Sequence, residues 1–388
     1  MRLNSVKRIM KRKGACRLPL LGVVFCLAMG FVSCESIYDD QSGCRTGIAL
    51  NFVYEYHMER GANAFPANVD CVDVLVFDTK GNFIKHFVET SEVLRDPAYA
   101  MEIPLDEGDY HLVVWGGMAC DNAAFELTPE FPEAETVGAL GSRAGAPRQE
   151  DIRVVRPLTD GISKDRLHDI EDRTGGLFYG TLDVSVKGRA YEFKRYTVEL
   201  MKDTNNIQIV LQELSVPDKC DVADYDFKIV DDNFVLDGFN NPIHIAAADF
   251  QPIYKPYELY NRTAGYVETG RDGELVEEDE ERPVQVACAE FSTSRLFVQH
   301  MSTARLVVTS TKFKDSSGRP REIINIPLLP YLSMIRGFGD NWIKSDQEYL
   351  DRQSRWMLMF FLERNVWVQT KIVVNWWTVR VNDIDLGM

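Results

Sequence analysis

Apolar side chains recur at every second position in short segments along most of this chain. In the first such segment one face of the predicted strand is formed by Ile48, Leu50, Phe52, Tyr54 and Tyr56. A period of two is typical of β-strands, and almost no segment has the period of 3.6 residues that an amphipathic helix requires. The sequence therefore predicts an all-β protein whose sheets pack as β-sandwiches.

Local signals predict one hairpin and one helix. Residues 69–77 and 82–89 are strand-like runs, and the four residues between them end in Gly81. Glycine adopts the left-handed conformation that closes such a turn, so we expect the two runs to pair as antiparallel neighbours. The helix is predicted where Ser345 precedes Glu348 by three residues ahead of an apolar run, because this is the capping-box pattern.

The chain begins with a basic segment followed by a short apolar run, Leu18–Val32. As a helix this run would extend roughly 22 Å, which is shorter than a hydrocarbon core of about 30 Å. A basic flank, a short apolar run and small residues at its end are typical of a secretory signal. The run closes with Ser33-Cys34 in a pattern that resembles a bacterial lipobox. The resemblance implies cleavage between Ser33 and Cys34, with a diacylglycerol and an acyl chain on the Cys34 thiol; the alternative is an ordinary signal peptide with a chance cysteine.

The net charge argues against a nucleic-acid partner. The whole chain has a net charge of −16, and residues 1–33 carry seven basic and no acidic residues, so the part that follows them has a net charge of −23. Such a body repels phosphate backbones. We interpret the acidity as a soluble, solvated surface.

Five cysteines remain once the signal segment and the lipidated residue are set aside: Cys44, Cys71, Cys120, Cys220 and Cys288. They contain no CxxC pair, which excludes a zinc knuckle and a thioredoxin-like site. One or two disulfides are possible in an oxidising compartment, and an odd count leaves at least one free thiol. We predict a Cys44–Cys120 disulfide, and we expect Cys71 and Cys288 to be core residues.

Catalytic and metal-binding patterns are absent from the sequence. The six histidines are scattered outside HExxH or HxH spacing, and we interpret those in strand patterns, His86, His111 and His300, as structural. The aspartates near Asp231 and Asp237 miss the EF-hand spacing, so we interpret them as turn residues. We therefore predict no enzymatic activity, no metal and no cofactor beyond the covalent lipid. A surface hydrolase stays an alternative only if Asp231, Asp237 and a histidine share one cleft.

Four parts of the chain carry a family resemblance through their order and spacing: CESIYDD (34–40) with Cys44, VDVLVFDTKGNFI (72–84) followed by EGDYHLVVWGGM (107–118), SDQEYLDRQSRWMLMFFL (345–362), and KIVVNWWTVRVNDIDL (371–386). Together they resemble the FimB/Mfa-type fimbrial anchor family, the minor lipoprotein subunits of Bacteroidia type V pili. The resemblance covers nearly the whole chain after the signal segment.

The resemblance implies a lipid-tethered protein at the cell outer membrane, exposed on the surface. Its parts would be a signal peptide (1–33), a lipidated tether (34–45) and two tandem transthyretin-like β-sandwich domains (46–195 and 196–388). The acidic residues that follow Cys34 also look like the surface-export signal of such lipoproteins. An anchor subunit terminates the fimbria at the cell and binds a stalk pilin, without a substrate pocket.

Strand addition is the binding mode that the resemblance implies, because a β-sheet edge offers main-chain hydrogen bonds to another strand. An anchor retains its own first strand, so we expect Ile48–Tyr56 to stay in place. The two C-terminal strands, 366–374 and 376–384, are the predicted pilin-facing edge. The predicted contact residues are Val366, Val368, Ile372, Val374, Trp376 and Trp377. The alternative function is an adhesin or fimbrial tip subunit that binds host protein or glycan.

Overall fold

The computed structural model describes residues 46–58, 61–118, 120, 123–131, 147–159, 162–163, 176–188, 193–216, 219–244, 253–265, 283–334, 336, 342–374 and 377–381. Strands dominate these residues, and the predicted all-β class is confirmed. None of the helices within these ranges has the length and apolar content needed to span a lipid bilayer.

The first part of the chain contributes twelve strands: β1 (Gly47–Val53), β2 (Val72–Asp78), β3 (Phe83–Glu89), β4 (Met101–Pro104), β5 (Gly108–Gly116), β6 (Glu126–Thr128), β7 (Arg153–Val155), β8 (Leu158–Thr159), β9 (Ile162–Ser163), β10 (Phe178–Val186), β11 (Lys194–Glu199) and β12 (Met201–Lys202). It also contains the short helix α1 (Phe65–Asn68) and two 3-10 turns, Glu92–Arg95 and Gln149–Asp151.

The second part contributes eleven strands: β13 (Thr204–Glu213), β14 (Tyr225–Val230), β15 (Val235–Asp237), β16 (Ile253–Tyr254), β17 (Glu258–Gly265), β18 (Pro283–Ser294), β19 (Arg305–Lys314), β20 (Pro320–Pro327), β21 (Arg355–Glu363), β22 (Val366–Val374) and β23 (Trp377–Val381). Its helices are α2 (Leu328–Ser333) and α3 (Asp346–Arg352), with 3-10 turns at Val222–Asp224 and Val298–His300.

Two sheets enclose the core of the first part. A three-stranded sheet in the order β11-β1-β4 faces a five-stranded sheet in the order β12-β10-β5-β2-β3. Fully buried side chains meet between them, among them Ile48 and Leu50 from β1 and Val74 and Leu112 from the larger sheet. Because alternate residues of a strand point to opposite faces, these apolar positions account for the period of two in the sequence.

A third layer covers part of the outer face of the five-stranded sheet. The small sheet β15-β7-β6 lies there, and Leu236 and Val154 from it share a core cluster with Phe77 and Trp115. Both faces of β2 are therefore buried, which explains its nearly continuous apolar sequence.

The second part is built from two six-stranded sheets, in the orders β17-β18-β13-β21-β22-β23 and β20-β19-β14-β16-β9-β8. Their shared core contains Ile209, Leu306 and Phe360, all fully buried, together with side chains from α2 and α3. β13 pairs in parallel with β21 and antiparallel with β18.

Strands from each part enter sheets of the other. β8 and β9 extend a sheet of the second part, and β15 joins a sheet of the first part. The predicted boundary at residue 195 falls inside β11, and the first part's sheets continue through β12. The division into domains 46–195 and 196–388, and their transthyretin-like character, stay predictions.

The local predictions agree with the structure. β2 and β3 form the expected antiparallel hairpin, closed by Gly81 at φ 79°. The helix α3 begins after Ser345, whose side chain accepts a hydrogen bond from the Glu348 N–H at 3.0 Å. Glu348 in turn accepts from the N–H of Lys344 at 2.9 Å, one residue before the position that a capping box predicts.

Candidate partner-binding surfaces

The predicted lipidation site lies outside the described residues. This applies to Ser33 and Cys34, to the acidic residues after them and to Cys44. Lipidation and cleavage at this site therefore stay predictions.

The structure assigns a disulfide that differs from the predicted one. Cys120 is bonded to Cys71, with 5.6 Å between their Cα atoms, so the predicted Cys44–Cys120 pair is wrong. The reason is strand pairing: β2 and β5 are neighbours with Val72 opposite Gly116, which brings Cys71 beside the turn that contains Cys120. Cys288 is buried, as expected, and Cys220 is a second buried free thiol.

β1 is held on both sides. It pairs in parallel with β11 and antiparallel with β4, so it is the central strand of its sheet. Its start is closely packed, since a Cβ atom on Gly47 would lie 2.4 Å from the carbonyl oxygen of Ile103. The strand ends at Val53, three residues earlier than predicted.

The segment that follows β1 contacts the second part of the chain. Tyr54 is buried, and its N–H donates to the side chain of Asn63 at 3.0 Å. The guanidinium carbon of Arg352, in α3, lies 3.9 Å from the centre of the Tyr56 ring. This cation–π contact links the segment that follows β1 to a helix of the second part of the chain.

The predicted pilin-facing residues that the structure describes lie on the last two strands of a six-stranded sheet, in which β23 is the terminal strand of those described. Val366 is 46% exposed and Val368 is partly buried, whereas Ile372 is fully buried in the core. Val374 and Trp377 are described only in their backbone, and Trp376 lies outside the described residues.

A bulge explains why these side chains do not share one face. The register between β21 and β22 shifts at Val368, because Gln369 pairs with Phe361 whereas Trp367 pairs with Leu362. An extra residue reverses the inward and outward positions that follow it. Ile372 therefore points into the core, and the prediction that its side chain contacts a partner is wrong.

A side chain from another strand stabilises the turn between β21 and β22. Arg364 and Asn365 both have positive φ, 53° and 60°. The Glu213 carboxylate accepts hydrogen bonds from both of their N–H groups, at 2.8 Å and 2.9 Å. The hairpin of β21 and β22, with which the terminal strand β23 pairs, is therefore anchored to the end of β13.

A cleft of about 750 Å³ opens on the first part of the chain. β5 and β10 supply Tyr110, His111 and Asp183 to its lining, and separate loops supply Gln149 and Phe239. His111 Nδ1 lies 2.7 Å from Asp183 Oδ1, directly across the strand pair. No sequence pattern predicts this cleft, because its residues meet only through long-range pairing.

The described histidines have local structural partners. His86 lies in β3 with Nε2 2.9 Å from Asp73 Oδ1, and His111 lies in β5, so their interpretation as strand histidines is confirmed. His300 instead lies in a 3-10 turn, and its predicted strand placement is wrong. Within the described ranges, no group of three or more histidine, cysteine or acidic residues is arranged to hold a metal ion.

The aspartates that a hydrolase would need serve different partners. The Asp231 carboxylate lies 2.7 Å from His300 Nδ1. Asp237 accepts hydrogen bonds from the N–H groups of Phe239 and Asn241, which is a turn-closing arrangement. This agrees with the turn interpretation of Asp237.

A buried charge cluster surrounds Arg295. Arg295 binds Asp351 through two hydrogen bonds of 2.8 Å and donates to the carbonyl of Asn240 at 2.7 Å. Asp203, which is fully buried, accepts from the Asn240 side chain at 3.1 Å. Burial outweighs the attraction of Arg295 and raises the pKa of Asp203 to about 7.

Known proteins match most of the chain. A family model described as fimbrillin-A associated anchor proteins Mfa1 and Mfa2 matches residues 41–383. A Bacteroides thetaiotaomicron structure of a protein proposed to be an adhesin is 34% identical, with a TM-score of 0.68 over 87% of this chain and 99% of that chain. A second structure from that species, of a protein proposed to bind polysaccharide, is 28% identical, with a TM-score of 0.63 over 88% and 99%.

The fold is also shared with a fimbrial anchor protein. The fimbrial anchor protein Mfa2 of Porphyromonas gingivalis is 19% identical, with a TM-score of 0.57 over 87% of this chain and 99% of that chain. The chain has no match among curated proteins.

Proposed function

Since this chain belongs to the family of fimbrillin-A associated anchor proteins, we propose that it is a structural lipoprotein subunit that anchors and terminates a surface fimbria at the outer membrane. It binds a stalk pilin by β-strand addition and performs no catalysis. The family assignment supports the fimbrial role, and the state of β1 is the observation that carries the terminating role.

A subunit that ends a strand-exchanged polymer must retain its own strand. β1 has a hydrogen-bonded neighbour on each side, and the residues after it are held by Asn63 and Arg352. Withdrawing β1 from its sheet would expose to water the apolar side chains of Ile48 and Leu50, which are fully buried in the folded chain. The first sheet is therefore complete without a strand from another subunit.

The outer edge of β23 is the proposed site for the stalk pilin. A terminal strand presents main-chain groups to which a further strand can pair. β22 pairs with one side of β23 over Trp377–Val381, and no strand among the described residues pairs with its other side, which we assign to a partner. Val366, which is 46% exposed, lies at the other end of β22, beside the turn between β21 and β22, and is not part of this edge.

Proline substitutions at neighbouring positions test this edge. In an antiparallel strand, successive N–H groups point alternately to the two sides, so Thr378→Pro and Val379→Pro remove donors from opposite sides of β23. We expect one variant to lose pairing with β22 and the other to lose only the stalk pilin, as measured by the pilin retained on purified outer membranes. Deletion of residues 376–388 should abolish retention. Unchanged pilin retention in the deletion variant would overturn the proposed edge.

A tip adhesin is the second candidate, favoured by the relative of 34% identity that is proposed to be an adhesin. The two roles place the protein at opposite ends of the fimbria. Immunogold labelling of intact cells should show this chain at the cell surface next to the fimbrial base. Labels at the distal ends of the fimbriae would favour the tip role.

A further inference from the structure

The cleft beside β5 and β10 is lined by acidic and aromatic side chains. Among the described residues that line it are three aspartates, Asp78, Asp109 and Asp183, and neither a lysine nor an arginine. Its volume of about 750 Å³ is within the range of roughly 300–1,000 Å³ that ligand sites occupy. Three tyrosines and Phe239 add aromatic surface to the same lining.

Phe239 is held in an exposed position by its neighbours. The phenylalanine is 52% exposed, whereas the next residue, Asn240, is 1% exposed and donates to Asp203. On the other side, the Gly238 carbonyl accepts from Gln149 at 3.1 Å, and a Cβ on Gly238 would lie 2.1 Å from the Gln149 carbonyl oxygen. The backbone is thus fixed on both sides of an aromatic ring at the cleft, which preorganises it for contact.

Among the described residues that line the cleft, neither a lysine nor an arginine lies beside its carboxylates, and the basic group there is the His111 imidazole. The Asp183 side chain is 88% exposed, with His111 as its ion-pair partner, and Asp109 is also exposed. Hydrogen bonds from Asn82 and Lys80 outweigh the effect of partial burial and lower the pKa of Asp78, so it stays charged at neutral pH. Negative charge beside aromatic rings is the environment that an ammonium or guanidinium group prefers.

One aromatic ring at the rim of the cleft contacts a cation of the chain itself. The Lys194 ammonium lies 4.4 Å from the centre of the Tyr196 ring and 2.8 Å from its hydroxyl oxygen. Tyr196 is one of the lining residues. A cation is therefore already bound by one of the rings that border the site.

We propose that this cleft is a second docking site, which binds a lysine- or arginine-bearing peptide segment of a partner protein. The cationic side chain lies between the Phe239 ring and the Asp109 and Asp183 carboxylates. The site lies on the five-stranded sheet and is separate from the β23 edge, so it adds a second interaction to the fimbrial role.

Titration of the purified full-length protein in detergent with an acetylated tetralysine peptide tests the proposal. Phe239→Ala and Asp183→Asn are each expected to weaken binding about three- to tenfold. The matched controls are Phe313→Ala, another phenylalanine that is 45% exposed, and Asp226→Asn, another ion-paired aspartate on a strand. Both controls should bind the peptide as the unsubstituted protein does.

A third variant covers the event that Phe239→Ala does not fold. Thr181→Lys places an ammonium group in the lining from an exposed position on β10, and it should abolish peptide binding. Equal losses in the cleft and control variants would mean general attraction to an acidic protein, which would overturn the site. Equal binding of a tetrapeptide of Nε-acetyl-lysine, or binding of neutral maltotriose that Phe239→Ala removes, would overturn the cationic ligand.

The proposed pilin site at the β23 edge and the proposed peptide site in the cleft can be tested independently. Phe239→Ala should retain stalk pilin on outer membranes at the level of the unsubstituted protein. Loss of pilin retention in that variant would mean that the cleft is part of the pilin site, which contradicts a second docking site.

Discussion

Asp203 is the residue at which the structure links folding to pH. Its carboxyl group is fully buried beside Arg295, and burial raises its pKa to about 7. Between the ordinary aspartate pKa and this value, the folded chain holds a proton that the unfolded chain releases. Stability contributed by this group therefore falls as pH rises through that window, by up to about 1.4 kcal/mol per pH unit.

Asp203→Asn should remove this dependence. The amide oxygen still accepts the hydrogen bond from Asn240, and no charge has to be buried. Urea unfolding from about pH 4 to about pH 7 should show a flatter stability profile for the variant, with its largest advantage at the upper end. Asp226→Asn, a half-exposed control, should leave the slope unchanged. A variant that is less stable at every pH with an unaltered slope would show that Asp203 is ionised in the folded protein.

Residue-scale predictions from the sequence were accurate where the cause was local. Gly81 and Ser345 act within a few residues of the chain, and both were placed correctly. The sequence pattern predicts Cys71 only as a core residue, because its bond to Cys120 depends on the pairing of β2 with β5, which local patterns do not determine. Ile372 was misplaced for a similar reason, since a bulge at Val368 reversed the alternation.

The β21–β22 hairpin is the element on which the proposed pilin site depends. Its turn contains Arg364 in a left-handed conformation, which costs a non-glycine residue about 1–2 kcal/mol. Two turn N–H groups share one acceptor, the Glu213 carboxylate, which is itself largely buried. The turn is thus strained in its backbone and stabilised by side chains, of which Glu213 is the charged acceptor; the Ser215 hydroxyl also accepts from the Arg364 N–H at 3.1 Å.

Opposite effects are expected from two substitutions at this turn. Arg364→Gly should stabilise the protein by up to about 1 kcal/mol, because glycine adopts positive φ without a Cβ clash. Glu213→Ala should destabilise it by about 1–3 kcal/mol, because two N–H groups lose a charged acceptor. Both effects are read from denaturant midpoints at constant slope.

The control for Arg364→Gly is a glycine substitution one residue earlier in the chain. Glu363→Gly, at the extended end of β21, should destabilise the protein by about 0.5–1 kcal/mol. Stabilisation by both glycine substitutions would contradict the assignment of strain to Arg364.

Strands were predicted more accurately than their arrangement. Alternation gave β1 and β5 within a few residues of their bounds, and turn chemistry gave the β2–β3 hairpin. The order of strands within each sheet, and the entry of β8, β9 and β15 into sheets of the other part, arise from contacts distant in sequence. A period of two fixes which face is apolar, but not which strand lies next to it.

At the scale of the whole molecule, the family resemblance predicted a role that local sequence patterns do not indicate. The four segments that carried it span residues 34–386, and the family model matches 41–383, so the recognition is confirmed. The resemblance gave the fimbrial role but neither the cleft nor the buried Asp203 cluster. Both are formed by side chains that only the folded chain brings together.

The last prediction concerns how the whole molecule is held at the membrane. The part of the chain after residue 33 has a net charge of −23, so it has no general electrostatic attraction to an anionic lipid surface. Acyl chains on Cys34 would then supply the entire membrane affinity, and two or three chains suffice for stable attachment. Cys34→Ala should move the protein from the membrane to the soluble fraction at any salt concentration, whereas Cys44→Ala should leave it bound. Mass spectrometry of the membrane-bound form should find acyl groups on residue 34, and membrane retention of Cys34→Ala after a carbonate wash would show that another segment holds the protein there.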